Sequence, residues 1–264
     1  MSFQDATKVT AMGDGRYTAT IGEGWDIAGN ANGGYLMAIA ARAITDALGK
    51  PDPLTTTGHY LKPGRPGPVT IDVTTHRNGK RHGTASATLS AAGEPLLVVL
   101  GTAADLALAD GPEHVDSVPP AIPDPDDCYR IEPTETFPPP FMGRVELRIH
   151  PDDAGFAQGT KSGQARMRGW FRLRDDEPVD TLALVLATDA FPPTVFNADL
   201  PVAWTPTVEL TAHVRARPTP GWLRCSFATR FITGGYLEAD GEIWNAAGHL
   251  IAQSRQLALV PRAS

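Results

Sequence analysis

The stretch DTLALVLATDAF, from Asp180 to Phe191, constrains the fold more than any other part of this chain. Leu182 to Ala187 are apolar on every side, Asp180 is suited to cap the start, and Pro192 and Pro193 end the run. A segment with no polar face belongs in an interior. Strong helix formers dominate it and β-branched residues are few before Thr188, which predicts a buried helix rather than a strand. Such a helix has to be wrapped by sheet. Near its C-terminal end stands Asp189, where the pattern asks for another apolar residue, and an unpaired charge buried there is costly.

With 264 residues, the chain can bury a substantial core as one large or two ordinary domains. A formal charge of −7 argues against general affinity for nucleic acid or anionic membranes. The first residues, MSFQDATKVTAMGDG, lack the basic-then-apolar pattern of a signal peptide, and no apolar run reaches the roughly 18 residues of a membrane span. Cys128 and Cys225 lie far apart without metal-ligand spacing, so a reduced, cytoplasmic protein without structural metal is expected.

Arg16 to Ile21 reads as a strand. After the glycine-rich GEGWDIAGNANGG, residues Tyr35 to Leu48 read as an alanine-rich helix ended by Gly49 and Pro51. Four strands follow at Leu54 to Leu61, Val69 to Arg77, His82 to Ala91 and Pro95 to Ala104, separated by Pro/Gly turns in the manner of an antiparallel meander. From Leu106 to Phe141 prolines and acids dominate, predicting a stiff linker that cannot enter a central sheet. Beyond it, strands are expected at Val145 to His150 and Ala165 to Leu173, then the buried helix, then strands at Thr207 to Arg215, Leu223 to Ile232, Tyr236 to Trp244 and Leu250 to Val260.

The halves also echo each other. HYLKPGRPGP from His59 matches HVRARPTPGW from His213, and AAGEPLL from Ala91 matches AAGHLIA from Ala246, at offsets of 154 and 155. Two matches at nearly one offset argue for duplication, although coincidence between turn-rich segments remains an alternative.

On NGGYLMAIAARA, HYLKPG and TTHRNGKRHGTASATLSAAGEPL in the first half, and LATDAF, PTVELTAHVRARP and GHLIAQSRQ in the second, the chain resembles the bacterial acyl-CoA thioesterase II family. The resemblance implies an α+β tandem (double) hotdog: two curled antiparallel sheets, each wrapped around a central helix. It divides the chain into an N-terminal hotdog at 1–105, a Pro-rich linker at 106–141 and a C-terminal hotdog at 142–264. It also implies an acyl-CoA substrate, no cofactor and, with unpaired sheet edges to cover, a homo-oligomer.

Thioester hydrolysis needs an activated water and donors for the oxyanion. No GxSxG is present and neither cysteine has an activating partner in sequence, which leaves water activated by a carboxylate. In the resembled family an Asp on the second helix, a Thr at the start of the next strand and a Gln in the last strand hold that water. Asp189, Thr207 and Gln256 match them, although the interval from Thr207 to Pro218 is one residue longer than the family pattern. Each residue has a plainer reading: Asp189 as a cap or ion-pair member, Gln256 as a core hydrogen-bonder, Thr207 as a strand former. Alternation puts Thr207 on the face of Glu209 and His213, so a bulge or strand end is needed to aim it inward.

Subtracting the offset maps Asp189 to Gly34 and Gln256 to Gly101, so one site per chain is expected, completed by the first half. There Asn32, Gly33, Gly34 and Tyr35 start a helix whose amides suit a thioester carbonyl; a tight turn into the helix is the alternative. His59 and His213 occupy equivalent positions, which favours structural roles. Asp26 and Asn30 faintly match a hotdog hydratase that lacks its His. Lys62, Arg65, Arg77, Lys80 and Arg81 are candidates for coenzyme A phosphates, or are solvated turn residues. Trp25, Trp170, Phe191 and Phe196 are candidates for an acyl tunnel, or are core. A non-catalytic protein that binds acyl-CoA or lipid is the alternative function.

Overall fold

The structure, a computed structural model, describes residues 1–134 and 138–261; linker residues 135–137 and the last three of the C-terminal segment lie outside the described residues. A helical turn, α1 (Phe3–Ala6), precedes β1 (Thr10–Gly13), β2 (Arg16–Ile21), β3 (Asp26–Ile27) and β4 (Asn30–Ala31). Then come α2 (Gly33–Leu48), β5 (Asp52–Tyr60), β6 (Gly67–Asn78), β7 (His82–Ala91) and β8 (Glu94–Ala104). The remainder holds β9 (Tyr129–Arg130), β10 (Val145–Ile149), β11 (Arg166–Leu173), α3 (Thr181–Ala187), β12 (Thr207–Val214), β13 (Leu223–Ala228), β14 (Ile232–Thr233), β15 (Tyr236–Trp244) and β16 (Leu250–Leu259).

Both principal helices are interior. Asn32 caps α2 by accepting from the Tyr35 amide, and Gly49 ends it in the left-handed region at φ 60°. Only Gly33, Arg42, Asp46 and Ala47 of this helix escape full burial. Every residue of α3 is buried, with Asp180 accepting from the Ala183 amide as its cap. The helix stops at Ala187, so Thr188 to Phe191 leave it as a turn instead of extending it.

Two separate sheets are the expectation from sequence, and the structure corrects it to one 14-stranded antiparallel sheet. β5 and β12, each an open edge if its half stood alone, pair with each other from His59–Glu209 to Thr55–His213. Pairing satisfies two rows of backbone groups at once and removes two edges. Outward from this seam the order is β8, β7, β6, β2 on one side and β16, β15, β13, β11 on the other. Thr57 and Thr211, which correspond at the sequence offset, are partners at the seam with their hydroxyls 2.9 Å apart. The two halves are therefore related by an approximate twofold through that pair. The halves are also stapled by buried Asp52, which accepts from Arg217 Nη2 at 2.8 Å and from the Thr181 hydroxyl at 2.9 Å.

Contrary to expectation, the Pro-rich linker does join the sheet, as a short strand at its outer edge and not in its middle. Among its described residues the one strand, β9, pairs with β10, the flanking Cys128 and Ile131 are buried, and the Trp170 indole donates to Pro123 O at 2.8 Å. Leu223 to Ile232, read as one strand, breaks after Ala228, and Ile232–Thr233 forms a separate small pairing with β15.

Candidate active site

The turn after α3 carries Asp189 across to the start of α2. Its amide still donates to Leu186 O at 3.0 Å, but its side chain faces the other half of the molecule. Asp189 Oδ2 accepts from the Gly34 amide at 2.9 Å and from Asn32 Nδ2 at 3.2 Å, while Oδ1 accepts from Gln256 Nε2 at 2.9 Å. A carboxylate at the C-terminus of its own helix is disfavoured by that helix's dipole; here the N-terminus of the longer α2 supplies the opposite field. Burial pushes the Asp189 carboxyl up to about 6, and the donors Gly34, Gln256, Gly33 and Asn32 hold it from rising further. A carboxyl so tuned is a competent proton acceptor near neutral pH.

The two glycines have a steric reason. A Cβ at Gly34 would lie 2.9 Å from both Asp189 Cβ and Leu186 O, and one at Gly33 would lie 2.9 Å from Asp189 Oδ2. Any side chain there would push the carboxylate off the helix start. Asn32 works on both sides, capping α2 through Oδ1 and donating through Nδ2 to the Asp189 carbonyl (2.8 Å) as well as its carboxylate.

Tyr35 is in a different place. Its ring stacks on Trp25 at 4.9 Å in the core, and its hydroxyl donates to Ala6 O and accepts from the Gly22 amide. Its own amide is engaged by Asn32, and the Gly34 amide by Asp189, so neither N–H is open to a ligand in this state.

Gln256 and Thr207 complete the group. Gln256 Nε2 donates to Thr207 Oγ1 at 2.7 Å as well as to Asp189, linking the last strand, the start of β12 and the turn after α3. The alternation problem at Thr207 is resolved by a bulge: Thr207 faces Ala258 and Glu209 faces Leu257, so Val208 has no partner between them. That extra residue turns Thr207 from the outer face to the inner one.

Asn32, Gly33, Asp189, Thr207 and Gln256 line one cavity of about 510 Å³. Its walls are mostly apolar and include Tyr129, Phe156, Phe191, Phe196 and Phe227. Of the aromatic candidates from sequence, Phe191 and Phe196 reach it; Trp25 and Trp170 are core and linker contacts instead. Lys62 alone of the basic group lines it. His59 and His213 are exposed on the sheet's outer face. Neither cysteine borders the cavity. Sequence reasoning missed Tyr60, which lines the cavity with its ring beside Gly33. Alternation along β5, with Thr56 and Gly58 buried and His59 exposed, is the signal that would have found it.

Residues 21–104 match the family profile described as acyl-CoA thioesterase N-terminal domain, and residues 112–260 match the corresponding C-terminal domain. An uncharacterised protein of Mycobacterium tuberculosis is 26% identical, covering 93% of this chain and 91% of the relative. A Thermobifida fusca chain solved as a thioesterase II candidate is 33% identical, with a TM-score of 0.89, covering 98% of this chain and 97% of that one. A conserved protein from Alicyclobacillus acidocaldarius described as having a hotdog fold shares that architecture, with a TM-score of 0.84 at 22% identity and coverage of 99% and 98%. An acyl-CoA thioesterase II from Mycobacterium marinum superposes over 100% of this chain and 99% of its own, with a TM-score of 0.72 at 17% identity. With both domain profiles matched in order and a partly buried carboxylate facing the cavity between the halves, the chain belongs to the acyl-CoA thioesterase family and is a thioester hydrolase.

Proposed function

We propose that this chain hydrolyses an acyl-CoA to a free acid and coenzyme A at Asp189, using water and no cofactor. The observation that carries the reading is a partly buried carboxylate with a raised pKa, held jointly by the start of α2 and by Gln256, on the wall of an apolar cavity. With both Gln256 amide hydrogens engaged, its Oε1 is left as an acceptor and the Thr207 hydroxyl as a donor, a pairing suited to holding a water beside Asp189. Asp189 takes a proton as the water oxygen bonds to the carbonyl carbon. The tetrahedral intermediate then collapses, the C–S bond breaks, and the proton passes from Asp189 to the leaving sulfur. Asn32 and Gly33 form the substrate-facing side of the site with Gly34 behind them holding Asp189, the aromatic walls receive the acyl chain, and Lys62 meets the coenzyme A moiety.

On this reading the single sheet is a double hotdog joined at the β5–β12 seam, with residues 1–105 and 142–264 as its halves and 106–141 as the connector. Exposed Val98, Leu100 and Leu257 near the seam support self-association through the outer sheet face. The test is release of free thiol from a chain-length series of acyl-CoAs. Turnover with a defined optimum is expected. Binding of every acyl-CoA without thiol release would instead favour a non-catalytic acyl-CoA carrier.

A further inference from the structure

We infer that Tyr60 is a catalytic residue whose hydroxyl donates a hydrogen bond to the thioester carbonyl oxygen and to the oxyanion that replaces it. The inference deepens the hydrolase reading and rests on it. Its starting point is an unusual group. The Tyr60 side chain lines the cavity, and its hydroxyl is buried with no hydrogen-bond partner among the described residues. Leaving a hydroxyl in that condition costs about 1–3 kcal/mol, whereas phenylalanine would fill the same volume without that cost. Packing alone therefore does not account for tyrosine at this position.

Position and chemistry both suit an oxyanion donor. The point where a Gly33 Cβ would stand is 2.9 Å from Asp189 Oδ2 and 3.1 Å from Tyr60 Cε1 and Cζ, so carboxylate and phenol ring flank the same backbone position. Apart from the Thr207 hydroxyl, which is left to hold the water, the side-chain and amide donors around Asp189 are engaged. Gly34 N–H and both Asn32 Nδ2 contacts serve Asp189, Tyr35 N–H serves Asn32, Gln256 Nε2 serves Asp189 and Thr207, and the Thr188 hydroxyl serves Val185 O. Tyr60 keeps a free O–H beside them. Burial, reinforced by the negative charge of Asp189 and Glu209, raises the Tyr60 pKa well above that of an ordinary phenol. It stays protonated, and so stays a donor, throughout the range in which Asp189 is ionised. A phenol in a low-dielectric pocket strengthens its bond as the carbonyl oxygen gains charge, which is the differential stabilisation that raises kcat.

The test is Tyr60→Phe, which removes one oxygen and keeps the ring. In acyl-CoA hydrolysis kcat should fall about 100-fold, with KM changed by less than about threefold. A trifluoromethyl ketone analogue of the acyl-CoA, whose hydrate mimics the tetrahedral intermediate, should bind Y60F at least about tenfold more weakly than wild type. A thioether analogue without a carbonyl should bind both equally. The melting temperature of Y60F should equal or exceed that of wild type, because an unpaired buried hydroxyl has been removed. Retention of kcat within about twofold, or a large drop in melting temperature with equal loss of affinity for both analogues, would overturn the role. A wild-type protein that turns over no acyl-CoA would overturn the hydrolase reading first, and this inference with it.

Discussion

The two halves share a strand order but use the same place in it differently. In the first half Gly101 lies opposite Thr56, and in the second Gln256 lies opposite Leu210, so the register makes them equivalent. A Cβ at Gly101 would stand 3.0 Å from Ile44 Cδ1, because α2 is sixteen residues long and its side chains fill that space. The second half has a helix of seven residues, and the volume beside Gln256 is the cavity. The equivalent place is packed by α2 in the first half and open beside the shorter helix in the second. Gly34 and Asp189, matched by the sequence offset, are not equivalent in the fold: Gly34 lies in the first turn of α2 and Asp189 follows the end of α3, and where they meet one gives an amide and the other a carboxylate. Both halves line the cavity.

The strongest way to break this comparison is to remove the charge from one side. Asp189→Asn should lower kcat for thiol release by about 10³-fold while a non-hydrolysable acyl-CoA still binds within a few-fold of wild type. In the wild type kcat/KM should rise with pH through about 6, since the base must be ionised. Stability runs the other way. With the folded carboxyl raised above its ordinary value, the advantage of the neutral form is complete below about pH 4 and lost as pH climbs through about 6. Chemical denaturation across that window should therefore show wild type losing ground to Asp189→Asn as pH rises.

Gly34→Ala attacks the other side. The new methyl group collides with Asp189 Cβ and the Leu186 carbonyl, so activity should fall about 100-fold with roughly 1–3 kcal/mol of stability, read from steady-state rates and urea unfolding. Gln256→Ala should cost about 10- to 100-fold in kcat, the worth of a hydrogen bond to a charged group. It should also move the pH midpoint upward, because a donor that favours the ionised form of Asp189 is gone. Gly101→Ala is the control at the equivalent position. Ile44 can yield at the end of its side chain, so about 1 kcal/mol or less of stability should be lost and kcat should be unchanged.

Much of this was legible in the chain. The apolar run at Leu182 to Ala187, the cap at Asp180, the meander after α2 and the conspicuous Asp189 all rest on local pattern, and local pattern survives into the fold. The merging of the sheets was not legible, because β5 and β12 read as ordinary strands and only their shared seam makes them central. Tyr60 was hidden for a similar reason. In sequence it is one aromatic in a strand; its meaning lies in an unpartnered hydroxyl beside residues 129 and 196 positions away.

By itself the sequence determined which segments had to be buried, that the two halves correspond at an offset of about 154, and that a carboxylate stands where a core residue belongs. Hydrophobic periodicity, capping and turn chemistry depend on neighbours within a few residues, and such neighbours are visible in a string. The tertiary structure decided that Asp189 faces the start of α2, that a bulge turns Thr207 inward, and that the Gly34 and Tyr35 amides are engaged within the protein. Those outcomes depend on approaches within about 3 Å between segments far apart in the chain, where a single Cβ or one inserted residue changes which atoms meet.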